Sequence, residues 1–332
     1  MSKVYDALRR ARDNQGDSVA GRDRLSEPMR QEPGEARGDD PLSSVPIGMP
    51  FVPNSDEGKL ADGAASSRGG PWPLPEGIEE RRLLSSELHP RLIMWTDPET
   101  PECEQFRTLR TQIMHEAASR PLQVMAVTSA LAGEGKTSTV LNLAASMAQS
   151  GETRVLVVDG DMRRPNVAAY LGLRPARGLG EALAGDSSPW ESLLRLEDSA
   201  FYLLPVRREI ANPTELLSSS RMVELLATLR RYFDYILIDS PPVLPFADAR
   251  LLTNLADAAI LVIRAGMAPH DVVEKSIAAI SPQKILGVVL NGAEDLQEAN
   301  YYHDYYGYRR RSARETFLPR RWGKWLGRKP HF

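Results

Sequence analysis

One stretch constrains this chain more than any other, QVMAVTSALAGEGKTSTVLNLAASM, residues 123–147. It reads as a buried strand over 124–129, a glycine-bearing loop over 130–136 and a helix opening at Thr137. A loop in that place turns backbone N–H groups towards an anion, and the helix N-terminus behind it adds partial positive charge. The spelling departs from G-x-x-x-x-G-K-[ST] only at the first position, where Ala130 replaces glycine, while Gly135, Lys136 and Thr137 keep the end of the motif. This pattern predicts a phosphate-binding loop to which Gly133, Glu134, Gly135, Lys136, Thr137 and Ser138 contribute. Lys136 carries the charge and Thr137 a hydroxyl for Mg²⁺.

Two acidic strand ends downstream strengthen that reading. Val155 to Val158 form an apolar run that stops at Asp159 and Asp161, and Tyr235 to Ile238 form another that stops at Asp239. Ligands of parallel α/β sheets bind at the carboxyl ends of strands, so these carboxylates should meet the same phosphates. There a carboxylate holds Mg²⁺, directly or through water, or accepts a proton from an attacking hydroxyl. Pro241 and Pro242 then prevent a direct continuation into helix. Further strands are expected at 201–206, 258–266 and 284–293, with helices at 215–233 and 271–280. Strands alternating with helices predict an α/β fold of the P-loop NTPase kind, a doubly wound, mostly parallel sheet with helices on both faces. Asn291, ending the last strand, either hydrogen-bonds an adenine edge or simply stops the strand.

The rest of the 332 residues is organised around that domain. The formal net charge of −3 gives no bias towards nucleic acid, and Cys103 is the only cysteine, so no internal disulfide forms. No apolar run reaches the length of a membrane span, and no secretory leader is apparent, so a cytoplasmic protein is expected. Residues 1–13 form a short helix candidate that needs a partner to order it. Residues 14–91 are rich in Pro, Gly, Ser, Asp and Arg, and predict a disordered linker ahead of a domain over 92–297. Within the helix that Thr100 caps and Pro101 opens, Phe106, Leu109, Ile113 and Met114 are expected to face inwards. Glu104, Arg107 and Arg110 share a neighbouring face, which spacing alone assigns to an ion-pair row. Tyr301, Tyr302, Tyr305, Tyr306 and Tyr308 crowd the segment 298–308. A tail over 309–332 carries nine Lys and Arg against one Glu, a composition compatible with anionic lipid heads or with plain solvation.

Together, the loop 130–137, VVDGDMRRP with Asp159 and Asp161, ILIDSPP with Asp239, EQFRTLR, NPTELL and the tyrosine cluster resemble the bacterial tyrosine autokinases of exopolysaccharide and capsule synthesis. The resemblance spans about 98–308. It implies transfer of phosphate from Mg-ATP, with Lys136, Asp159, Asp161 and Asp239 catalytic and Thr137, Asp161 and Asp239 on the metal. It also implies tyrosines 301–308 as phosphoacceptors served in trans within a ring, and Glu104, Arg107 and Arg110 as the contact between subunits, since EQFRTLR matches E-x-x-R-x-x-R. Further implications are a chain-length role in polysaccharide export, a separate membrane-spanning activator that recruits the kinase to the inner face of the plasma membrane, and a tyrosine phosphatase as counterpart. Two departures stand out: Ala132 replaces a proline common in the family, and the tyrosines lie inside the chain rather than at its end. A partitioning-type ATPase and a non-catalytic ATP-binding scaffold of the export complex are the competing readings. Leu131, in place of the second lysine of the partitioning ATPases, speaks against the first.

Overall fold

The computed structural model describes residues 72–197 and 199–293. The expected N-terminal helix, the tyrosine cluster and the basic tail lie outside these residues. Among the described residues, eight strands form one sheet: β1 Glu79–Arg81, β2 Val124–Ser129, β3 Val155–Asp159, β4 Leu194–Leu196, β5 Phe201–Leu204, β6 Tyr235–Asp239, β7 Ala258–Arg264 and β8 Ile285–Asn291. Their order is β1-β4-β5-β3-β6-β2-β7-β8. Every neighbouring pair is parallel except β4 and β5, which run antiparallel.

The central strands explain their own sequences. All residues of β2 and β3 are buried, which is why both are apolar runs without polar alternation. Successive side chains still point to opposite faces. Met125, Val127, Val155, Val157 and Leu237 join one core with α2 (Pro101–Ser119) and α3 (Lys136–Ala148), after the short α1 (Ile93–Thr96). Val124, Ala126, Leu156, Val158, Ile236 and Ile238 join the core on the other face. That face is covered, after the short α4 (Val167–Tyr170) and α5 (Leu179–Ala184), by α6 (Pro213–Leu217), α7 (Ser220–Leu229) and α8 (Ala247–Leu255), and α9 (His270–Ala279) packs with β7. The doubly wound sheet is therefore the expected one.

Three expectations change in detail. The linker expected to run to residue 91 is ordered over 72–91. Its scattered apolar residues build no core of their own, but Leu74 and Ile78 settle on one core and Leu88 is buried in the other, while β1 pairs with β4. The single helix expected over 215–233 is two. Ser218 and Ser219 turn their hydroxyls onto the carbonyls of Glu215 and Leu216, at 3.2 and 2.7 Å, and Ser219 is extended at ψ 156°, the backbone competition that makes serine a helix breaker. On α2, Cys103, Ile113 and Ala117 are buried, whereas Met114 is 45% exposed. One residue past Ile113 lies about 100° around the helix, outside the inward stripe.

Asp257 sits at the foot of the sheet and closes it. Its carboxylate accepts the N–H groups of Gln123 and Val124 at 2.9 and 2.8 Å and takes a two-point contact from Arg230 at 2.9 and 2.6 Å. Burial pushes its pKa up, but the hydrogen bonds from Arg230, Val124 and Gln123 outweigh that and leave it below its ordinary value of 3.8. Asp257→Ala strands two N–H groups and a guanidinium, and is expected to lower stability by about 2–3 kcal/mol at pH 7. A depressed carboxyl stabilises the fold above its unfolded value and loses that contribution as pH falls through the folded value. Urea denaturation of wild type and variant at several pH values should therefore show the difference shrinking below about pH 4; an unchanged gap would exclude this ion pair as its source.

Candidate active site

The site is assembled where β3, β6 and β2 end side by side. β2 stops at Ser129, and the chain turns through residues 130–135 into α3. Gly133 and Gly135 have φ of +84° and +97°, a left-handed backbone that side chains disfavour. At Gly135 a Cβ would also collide with the amide of Asn291. The helix opens at Lys136, one residue earlier than expected, with Gly135 as its cap. Lys136 is 8% exposed, and its charge is enclosed with the carboxylates facing it.

Parallel pairing puts Asp159 and Asp239 in register. Asp239 accepts the Thr137 hydroxyl at 2.6 Å through Oδ2, and Asp159 accepts the Val167 N–H at 3.2 Å through Oδ2. The other oxygen of each carboxylate, Oδ1, is buried without a hydrogen-bond partner. Gly160, between Asp159 and Asp161, donates its N–H to the Asp239 carbonyl at 2.7 Å, and a Cβ there would meet that carbonyl at the same distance. Only glycine lets the two strand ends approach this closely.

Electrostatics follows from that packing. Burial raises Asp239 to about 6, against the pull of Lys136 and the Thr137 hydrogen bond. Burial and then the Asp239 charge hold Asp159 well above the ordinary range. Asp161 is also raised by burial, with its backbone hydrogen bond to Arg164 and the charges of Lys136 and Arg164 opposing. The two unpartnered buried oxygens of Asp159 and Asp239 are the kind of group that a cation satisfies. Among the described residues no group of three or more Asp, Glu, His or Cys side chains is placed to hold a metal ion by itself. A cation held partly by water and by phosphate oxygens is the kind that such a partial set accommodates.

A second layer fixes the loop that carries Asp161, and nothing in the local sequence marked it. Asp248, 1% exposed in the first turn of α8, accepts Arg163 Nε and the Thr214 hydroxyl, both at 2.6 Å. The Arg163 guanidinium also lies 4.9 Å over the ring of Phe246. One buried carboxylate thus joins the loop after β3, the start of α6 and the start of α8. An aspartate near a helix start is usually an exposed cap, so its burial was invisible before the fold was known.

The remaining expected residues are placed as follows. Ser138 donates its hydroxyl to the Gly135 carbonyl at 2.9 Å, inside the loop. Glu134 is wholly buried, its carboxylate turned into the protein. Asn291 donates its amide to the Glu134 carbonyl at 2.8 Å. Glu104 and Arg107 pair with each other, and Arg107 also reaches the Pro98 carbonyl at 2.9 Å. Arg110 instead turns inwards to the Ser146 carbonyl at 2.6 Å, near the C-terminal end of α3, where a cation complements the helix dipole.

The AAA domain family matches residues 122–281. The chain is 34% identical over 229 residues to the tyrosine-protein kinase YwqD of Bacillus subtilis, covering 68% of this chain and 95% of that protein. It is 32% identical over 218 residues to the succinoglycan biosynthesis transport protein ExoP of Rhizobium meliloti, covering 63% of this chain but only 27% of that longer protein. Among solved structures, the kinase domain of the Escherichia coli tyrosine kinase ETK superposes with a TM-score of 0.58 at 29% identity, covering 62% of this chain and 81% of that one.

Proposed function

The chain belongs to the bacterial tyrosine-protein kinases, and from that premise we propose that it transfers the γ-phosphoryl group of ATP to the tyrosines at 301, 302, 305, 306 and 308 of a neighbouring copy. The observation that carries the reading is the pair of unpartnered carboxylate oxygens on Asp159 and Asp239, buried beside Thr137 at the start of the phosphate-loop helix.

The residues divide the work by position. Backbone N–H groups of Gly133, Gly135, Lys136 and Thr137 wrap the phosphates, and Lys136 stabilises the negative charge that spreads over the transferring group. Ser138 braces the loop from inside through Gly135. Thr137, Asp161 and Asp239 would hold Mg²⁺, which neutralises phosphate charge when bound with the nucleotide. Asp159 orients the incoming tyrosine and takes its proton as the new oxygen–phosphorus bond forms and the bond to ADP breaks. A buried carboxylate whose pKa is raised is a better base than a solvated one.

The same reading assigns the protein its surroundings. In this reading the protein docks on the cytoplasmic face of the membrane through a separate membrane-spanning partner; no described helix is long and apolar enough to cross a membrane. Similarity to a polysaccharide transport protein supports a role in exopolysaccharide polymerisation or export. Glu104 and Arg107 on α2 offer the charged contact for a homo-oligomeric ring. Arg110 supports that contact from behind by fastening α2 to α3. A tyrosine phosphatase resets the cluster.

Mass spectrometry of the chain purified from its own host tests the proposal. Phosphate is expected on tyrosines 301–308, and none in Asp161→Ala. An unmodified cluster despite ATP binding and a co-expressed membrane partner would favour the scaffold or the partitioning-type ATPase instead.

A further inference from the structure

Glu134 poses a question that phosphate binding does not answer. It sits in the middle of the loop, where side chains usually point to solvent or ligand, yet it is 0% exposed. Burying a carboxylate is a costly way to fill space, so its contacts have to account for it. Oε2 accepts the Leu131 N–H at 2.7 Å, closing the loop on itself, and Oε1 accepts the Arg264 N–H at 3.3 Å, at the end of β7. Its backbone carbonyl accepts the Asn291 side-chain amide at 2.8 Å, from the end of β8.

Arg264 and Asn291 are register partners across β7 and β8, and the Asn291 carbonyl accepts the Ala265 N–H at 2.9 Å. A single residue of the loop is therefore held on two sides by one rung of the sheet. The opposite wall is set as well: the Ser129 hydroxyl donates to the Leu131 carbonyl at 2.5 Å. Gly135 lies against the Asn291 amide so closely that a Cβ would displace it.

We propose that Glu134 and Asn291 are positioning residues that latch the phosphate loop to the ends of β7 and β8, with Asn291 acting on the loop and not on the nucleotide base. The inference rests on the loop being the ATP site. It gives the loop its curvature before nucleotide arrives, so binding does not have to order it. Charge-assisted hydrogen bonds from backbone N–H groups are strong enough for that task.

The test is equilibrium titration of wild type, Glu134→Ala, Glu134→Gln, Asn291→Ala and the Glu134→Ala/Asn291→Ala pair with fluorescent ATP and GTP analogues, alongside phosphotransfer kinetics and thermal unfolding. Glu134→Ala is expected to weaken ATP binding roughly tenfold to a hundredfold and to raise KM more than it lowers kcat. Glu134→Gln, which keeps one acceptor, should recover part of the loss. Asn291→Ala should weaken ATP and GTP by the same factor, and the double variant should lose less than the product of the singles, because both changes release one latch. A shift in the ATP-to-GTP ratio in Asn291→Ala would make it a base reader and overturn the proposal. So would independent effects in the double variant, or Glu134→Ala binding as wild type does. Wild type that binds ATP without phosphorylating tyrosine would remove the kinase reading and leave the latch to be judged by binding alone.

Discussion

Lys136→Met is expected to fold as wild type does and to lose about a thousandfold in phosphotransfer rate. The side chain is 8% exposed, and Asp161 and Asp239 both feel its charge, which draws their raised pKa values down. Methionine fills similar space without that charge, so the helix start is preserved while the developing charge on the phosphoryl group loses its main fixed counter-charge. The measurement is the initial rate of phosphotyrosine formation, with circular dichroism as the folding control. A rate within tenfold of wild type in a folded variant would show that Lys136 has no part in the transfer.

Asp239→Asn should move stability and activity in opposite directions. The Asp239 pKa in the folded protein is about 6 against an ordinary 3.8, because burial penalises the charged form. A carboxyl raised on folding binds more protons folded than unfolded, so the fold loses stability as pH rises from about 4 to 6 and bears the full penalty above that range. Asparagine keeps a group for the Thr137 hydroxyl and removes the penalty. In the absence of metal and nucleotide, the variant should therefore be more stable by on the order of 2 kcal/mol at pH 8, with no advantage below about pH 4. Phosphotransfer should fall by roughly 10²–10³, since a neutral amide is a poor cation ligand. Thermal unfolding at the two pH values and a kinase assay read both sides. A destabilised variant at pH 8 would mean that the carboxylate is paired in a way the strand ends do not provide.

That trade-off was only half legible beforehand. Asp159 and Asp239 stand at the ends of apolar runs, and a parallel sheet puts strand ends where ligands bind, so their place was readable from order along the chain. Their register and their unpartnered oxygens depend on β3 and β6 being neighbours, although 75 residues or more separate them in sequence. Gly160 shows the same division: as a letter it was an ordinary turn glycine, and only the approach of the Asp239 carbonyl reveals why nothing larger fits.

Some features were out of reach because the signal is too weak or not local. β1 and β4 have three residues each, too few for a period to appear, and the break at Ser218 and Ser219 hides inside an otherwise helical pattern. Asp248 looks like any acidic residue of a first helical turn until Arg163 and Thr214 arrive from other loops. Arg110 belongs to a motif expected at a subunit contact, yet its own chain offers a helix carbonyl at shorter reach.

The alternating strands and helices, the phosphate loop and the acidic strand ends are written in local periodicity and short motifs, which act on the backbone directly and can be read along the chain. That Glu134 faces inwards, that Asn291 meets the loop carbonyl and that Asp248 ties three segments together follows from the packing of the fold. Apart from the short link between Glu134 and Leu131, those roles belong to contacts between residues from about 34 to more than 150 positions apart, and such contacts exist only after the sheet has set its strand order.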